Sequence, residues 1–206
     1  MLSTRNLSYS YGGQQKLTFP EVEIPNNALL LGPSGSGKST FLHLLTGIIP
    51  LQNGSVCYDD EEYTSKNQRE LDRSRGKHIS LVFQKPQFFP ALTVMENLRV
   101  QNMARGSAIS KADAQACLNA LEIGDQAHKN IKNLSVGQRQ RVSIARALLA
   151  KPDWIFADEP TSALDDDNAT RVIQLLLNHS KENHAKLIVV THDQRLVKYF
   201  DQIIQL

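Results

Sequence analysis

The sequence predicts an α/β fold: a mainly parallel sheet covered by helices, with an N-terminal antiparallel β subdomain and an inserted helical subdomain. Three observations carry it. Four short runs, residues 29–31, 79–83, 154–157 and 187–190, are apolar on both parities, which suits strands buried on both faces. Residues 2–9 and 19–24 alternate instead and read as antiparallel edge strands, with Gly12 and Gly13 between them as a turn signal. Residues 93–133 read as helices that interrupt the strands. Thr93 can cap one helix ending near Gly106, and Ser110 with Asp113 resembles a capping box for a second ending near Gly124. The charged stretch 59–77 reads as a solvated loop and a short helix. With no repeat or low-complexity tract, a single domain over 1–206 is expected, with the helical lobe inserted at about 93–133.

Composition removes several classes of function. The chain has 206 residues, 41% hydrophobic and 21% charged, and a formal net charge of +2. That charge is too small to argue for nucleic acid or an anionic membrane surface, so no nucleic-acid partner is expected. Cys57 and Cys117 have no CxxC partner, and two reduced thiols are expected rather than a disulfide framework or a zinc site. The N-terminus is too polar for a signal-peptide core. No apolar run approaches the roughly 18–20 residues that span a bilayer. A cytoplasmic protein is expected.

The runs at 29–31, 154–157 and 187–190 each end in polar residues suited to chemistry. Open α/β sheets bind ligands at the carboxyl ends of their strands, so one shared site is expected. After 29–31 comes Gly32, Pro33, Ser34, Gly35, Ser36, Gly37, Lys38, Ser39, Thr40, which matches GxxxxGK[ST]. Glycines let such a loop wrap with its N–H groups inward, and the following helix adds the positive end of its dipole. Lys38 supplies a mobile charge to the β- and γ-phosphates, and the Ser39 hydroxyl can ligate Mg²⁺. An apolar strand before it and an apolar helix (Phe41, Leu42, Leu44, Leu45) after it supply the context this motif requires. The fold class is thereby a P-loop NTPase core.

The run 154–157 ends in Asp158 and Glu159. In P-loop enzymes an aspartate here completes the Mg²⁺ shell, and Glu159 can orient or deprotonate an attacking water. His192 follows the run 187–190 and reads as a γ-phosphate sensor aimed at the same sheet edge. Gln84, after the run 79–83, can reach Mg²⁺ or the water through its amide oxygen. Leu134, Ser135, Val136, Gly137 and Gln138 open a further helix, with Ser135 and Gln138 placed as a capping box and Ala145, Leu148 and Leu149 on its apolar face.

In that order the motifs resemble those of the ABC (ATP-binding cassette) ATPases over essentially the whole chain. Tyr11 looks like the aromatic that stacks on adenine. Then follow the Walker A loop, the Q-loop at Gln84, the signature at 134–138 and Walker B with Asp158 and Glu159. The D-loop Ser162, Ala163, Leu164, Asp165 and the His192 switch complete the series. The tract 89–97, FPALTVMEN, resembles the subgroup serving lipoprotein release, macrolide export and cell division. The resemblance implies an ATPase using ATP and Mg²⁺, with Ser39, Gln84 and Asp158 toward the metal. It implies a head-to-tail homodimer, or a heterodimer with a similar cassette, in which Ser135, Gly137 and Gln138 contact the partner's nucleotide. It also implies a separate transmembrane permease holding the protein at the inner face of the membrane. The alternative is an ABC-type ATPase that regulates a transmembrane or cell-division complex without moving cargo. Chromosome-maintenance relatives would need long coiled coils and ribosome-associated ones a second cassette. A P-loop kinase would leave the signature, the D-loop and His192 unexplained. Two departures from the family pattern stand out: Val136 stands where most members carry glycine, and the short stretch after His192 predicts no appended regulatory domain.

Overall fold

The computed structural model describes residues 1–206 apart from Gln14, Asp60, 64–66, Arg105, Ser107 and Ala163, and apart from the side chains of Gln101 and Ala104. The chain divides into two compact units, residues 1–79 with 188–206, and residues 80–187.

The first unit holds two sheets. β1 (Leu2–Tyr9) pairs antiparallel with β2 (Leu17–Thr18), β3 (Glu23–Ile24) and β5 (Asn53–Tyr58), and β5 pairs with β6 (Glu61–Glu62). β1 is therefore central rather than the edge strand its alternation suggests. Leu2, Thr4, Leu7 and Ser8 are all buried, and the register shifts between Arg5 and Ser8, which breaks the simple alternation. Residues 19–24 do not form one strand, because Pro20 offers no N–H to a ladder. The parallel sheet of this unit centres on β4 (Ala28–Leu31), all of it buried. β10 (Gln202–Gln205) lies on one side of β4, and β9 (Lys186–Thr191) on the other, with Leu31 opposite Thr191. β10 was not legible in the sequence, since only alternate residues are partly covered. α1 (Lys38–Leu45) buries Phe41, Leu42, Leu44 and Leu45, and the Phe41 ring stacks on Phe19 at 4.9 Å between centroids. α2 (Gln68–His78) buries no residue and is held by a capping box between Asn67 and Glu70.

The second unit contains β7 (Ile79–Val82) beside β8 (Trp154–Asp158), with β8 buried throughout. Around them are α3 (Val94–Ala104), α4 (Lys111–Ala120), α5 (Val136–Leu149) and α6 (Asp166–Glu182). Helix starts follow the expected caps. The Thr93 backbone N–H donates to Glu96 Oε2 at 2.7 Å, and the Asp113 N–H donates to Ser110 Oγ at 3.0 Å. α4 stops short of the expected Gly124, because Leu121 caps it and Glu122 turns the chain at φ 56°. Buried Asn97 fixes the loop before α3. It accepts from Phe89 N at 2.8 Å and donates to the carbonyls of Phe89 and Thr93. Among the described residues no helix is long and apolar enough to cross a membrane. Cys57 and Cys117 are free thiols.

Candidate functional site

In the first unit β4 delivers the chain into residues 32–37 and then into α1. Gly37 is the N-cap of α1, at φ 90°, and no side chain caps the helix. A side-chain-bearing residue rarely adopts that conformation. The first-turn N–H groups of α1 have no partner within the helix, which is the arrangement that receives an anion. Gly32 is required for another reason: a Cβ there would lie 2.5 Å from the Leu206 carbonyl oxygen and 2.9 Å from Ser36 Oγ. Ser36 Oγ is buried with no hydrogen-bond partner inside the loop. Lys38 is 7% exposed, and its ammonium donates to the carbonyls of Gly32 (2.8 Å) and Pro33 (2.7 Å). Uncapped helix start, orphaned hydroxyl and inward cation together fit a polyphosphate. Pro33, Ser34 and Gly35 are exposed, Ser39 is half-buried, and Thr40 is buried.

The Gly32 N–H donates to the Thr191 carbonyl at 3.3 Å, so the loop's first residue sits beside the end of β9 and next to exposed His192. Asp193 N donates to Thr191 Oγ1 at 3.0 Å, which bends the chain immediately after His192. Tyr11 is 43% exposed, with its hydroxyl 3.2 Å from Thr40 Oγ1 and its ring edge-on to Tyr9. Tyr11, residues 32–40 and His192 thus share one unit.

The second unit carries Gln84, Ser135, Gly137, Gln138, Asp158 and Glu159. Asp158 ends β8 and is 5% exposed; Glu159 is 6% exposed at φ 48°, a left-handed conformation unusual for a side-chain-bearing residue. Its carbonyl accepts from Ser162 N (3.2 Å) and Ser162 Oγ (3.1 Å), so a tight turn holds that strained conformation. Ala163 lies outside the described residues. Gln84 is exposed, two residues beyond β7. α5 grips its neighbours: Gln140 Nε2 donates to Phe83 O at 3.4 Å, and Arg146 donates to Gln87 O at 2.6 Å while its guanidinium lies 4.9 Å from the Phe88 ring. Neither Gln140 nor Arg146 was legible in the sequence, where both read as ordinary polar positions of an amphipathic helix.

Ser135 is the N-cap of α5. Its Oγ accepts from Gln138 N at 3.2 Å, and its own N–H donates to Gln138 Oε1 at 2.9 Å. The Gln138 carbonyl oxygen is thereby committed to the cap, while the Ser135 hydroxyl keeps its proton free to donate. Val136 is the first helical residue and is 60% exposed. Helical backbone there accepts any residue, so the missing glycine leaves the helix start intact.

Residues 16–162 match the family model described as ABC transporter. The chain belongs to the ABC transporter family. It is 36% identical over 188 residues to the lipoprotein-releasing system ATP-binding protein LolD of Hydrogenovibrio crunogenus, covering 90% of this chain and 82% of that protein. It is 37% identical over 188 residues to the putative hemin import ATP-binding protein HrtA of Staphylococcus aureus, covering 90% and 85%. The fold matches the dimeric structure of the ABC transporter cassette MJ0796 with a TM-score of 0.91 at 32% identity, over 100% of this chain and 94% of that one. A post-hydrolysis dimer of MJ0796 bound to ADP and Pi matches equally well. The resemblance read from 89–97 to the lipoprotein-release group is thus supported. As an ABC cassette the chain binds and hydrolyses ATP, and that cycle drives a transporter.

Proposed function

We propose that one ATP is held by Tyr11 at the adenine, residues 32–40 at the phosphates, and Gln84, Asp158, Glu159 and His192 around the γ-phosphoryl group. The uncapped start of α1 with Lys38 turned into its loop carries this reading. Ser39, Asp158 and Gln84 offer the hard oxygen donors that suit Mg²⁺, whose role when bound is to neutralise charge on the β- and γ-phosphates. Glu159 accepts the proton of the attacking water, and its buried position keeps that carboxylate apart from bulk solvent. His192 and Lys38 stabilise charge developing on the γ-phosphoryl oxygens.

A second copy completes the site head-to-tail, or a similar cassette does so. Ser135 donates its free hydroxyl proton, and the Gly137 N–H adds the positive end of the α5 dipole, to the partner's γ-phosphate. Gln138 supports that contact by completing the capping box of the same helix. Closure depends on a group that hydrolysis removes, so occupancy becomes opening and closing. The lobe at about 93–133 and the segment after Gln84 receive a separate transmembrane permease, which holds the protein at the inner face of the membrane. A permease of the kind served by lipoprotein-releasing ATP-binding proteins fits best, since several relatives carry that description.

Lys38→Ala tests the core of the reading. It should retain the fold by circular dichroism and lose ATPase activity by on the order of a hundredfold or more. Near-normal turnover by that variant would contradict the phosphate assignment.

A further inference from the structure

Arg141, on the second turn of α5, has a side chain only 16% exposed. One guanidinium nitrogen donates to Leu121 O at 3.1 Å and lies 3.6 Å from Glu122 Oε2; the other donates to Asn168 Oδ1. Asn168 is the third residue of α6, whose N-cap is Asp165. Its backbone N–H donates to Asp165 Oδ1 at 2.9 Å and its amide Nδ2 to Asp165 Oδ2 at 2.6 Å. The amide is therefore used at both ends: it accepts from a cation and donates to a carboxylate. Alanine would do neither, and aspartate would keep the first and lose the second. The Asn168 bonds, aided by the Arg141 charge, hold the Asp165 carboxyl below its ordinary range.

Asp165 is also the downstream end of the turn that begins at Glu159. Within that turn Leu164 N donates to Thr161 O at 3.0 Å, and Ser162 donates twice to the Glu159 carbonyl. A strained conformation such as that of Glu159 persists only when its surroundings fix it from both sides. β8 fixes the upstream side. We propose that Arg141 and Asn168 are positioning residues for Glu159: through Asp165 they pin the downstream end of its turn to α5, the helix that opens with Ser135. This inference rests on the reading of Glu159 as the base.

The test compares Arg141→Met, Asn168→Asp, Asn168→Ala and the double variant Arg141→Met with Asn168→Ala, using Glu159→Gln as reference. The expected result is a fall in kcat on the order of tenfold to a hundredfold in each single variant. KM for ATP should stay within about twofold, because the phosphate loop is untouched. The double variant should be no worse than the poorer single, since both break one chain of bonds. Asn168→Asp replaces one amide nitrogen by oxygen on a partly exposed residue and keeps the test available if Arg141→Met does not fold. Wild-type kcat in folded Asn168→Asp and Asn168→Ala, or fully additive losses in the double variant, would overturn the proposal. If Glu159→Gln itself turns over normally, the base assignment fails instead, so the two failures are distinguishable.

Discussion

Glu159 holds a backbone conformation that costs a side-chain-bearing residue about 1–2 kcal/mol, at the end of a strand whose every residue is buried. Strain at a buried carboxylate beside a second buried carboxylate fits the role proposed for Glu159 as the base. Val136 is the opposite case, exposed and unstrained at the first turn of α5. Val136→Gly should therefore change the ATPase rate by less than about tenfold, roughly 1.4 kcal/mol in barrier terms; rescue from complete inactivity would show that valine had disabled the cassette. Cys117 gives a pH dependence. Burial pushes its thiol up to about 11 from an ordinary value of 9.0. The unfolded chain then loses this proton at lower pH than the folded one. The associated stability is complete below about pH 9 and falls as pH rises toward 11, by up to about 3 kcal/mol. Urea midpoints measured across that window should drop more steeply in the wild type than in Cys117→Ala; equal slopes would contradict the assignment.

At the scale of elements, legibility followed burial and local chemistry. β4 and β8 announce themselves because burial on both faces demands apolar residues at both parities. The caps Ser110, Thr93 and Ser135 announce themselves because each acts on residues three positions away. β10 and β5 carry little signal for the converse reason: apart from Val56 of β5, their residues are at most partly covered. Arg141, Gln140 and Arg146 were invisible because their partners are 27, 57 and 59 residues distant. Asn97 differs, since its partners lie only four and eight residues away and its side chain supplements backbone pairing in the loop at 89–93. Asn97→Ala should cost about 2–3 kcal/mol, because several buried polar groups lose their partner together. Its denaturant midpoint should fall accordingly, and an unchanged midpoint would show that water substitutes for the amide.

For the whole molecule, residues 32–40, 134–138 and 158–159 stand out in the sequence because each matches a motif of particular residue types in fixed order, independent of the remaining sequence. The proposed permease contact has no comparable pattern in the sequence, because a docking surface can be built from many residue types equally well. The proposed function turns on ATP-dependent pairing of two cassettes, and Glu159→Gln isolates that event by stopping hydrolysis after binding. Mass measured by light scattering, with and without ATP and Mg²⁺, is the direct test. The variant should bind ATP, hydrolyse it on the order of a hundredfold or more slowly, and double from its 23.0 kDa monomer only when ATP is present. A variant that binds ATP yet stays at 23.0 kDa, or one that turns over at the wild-type rate, would contradict it.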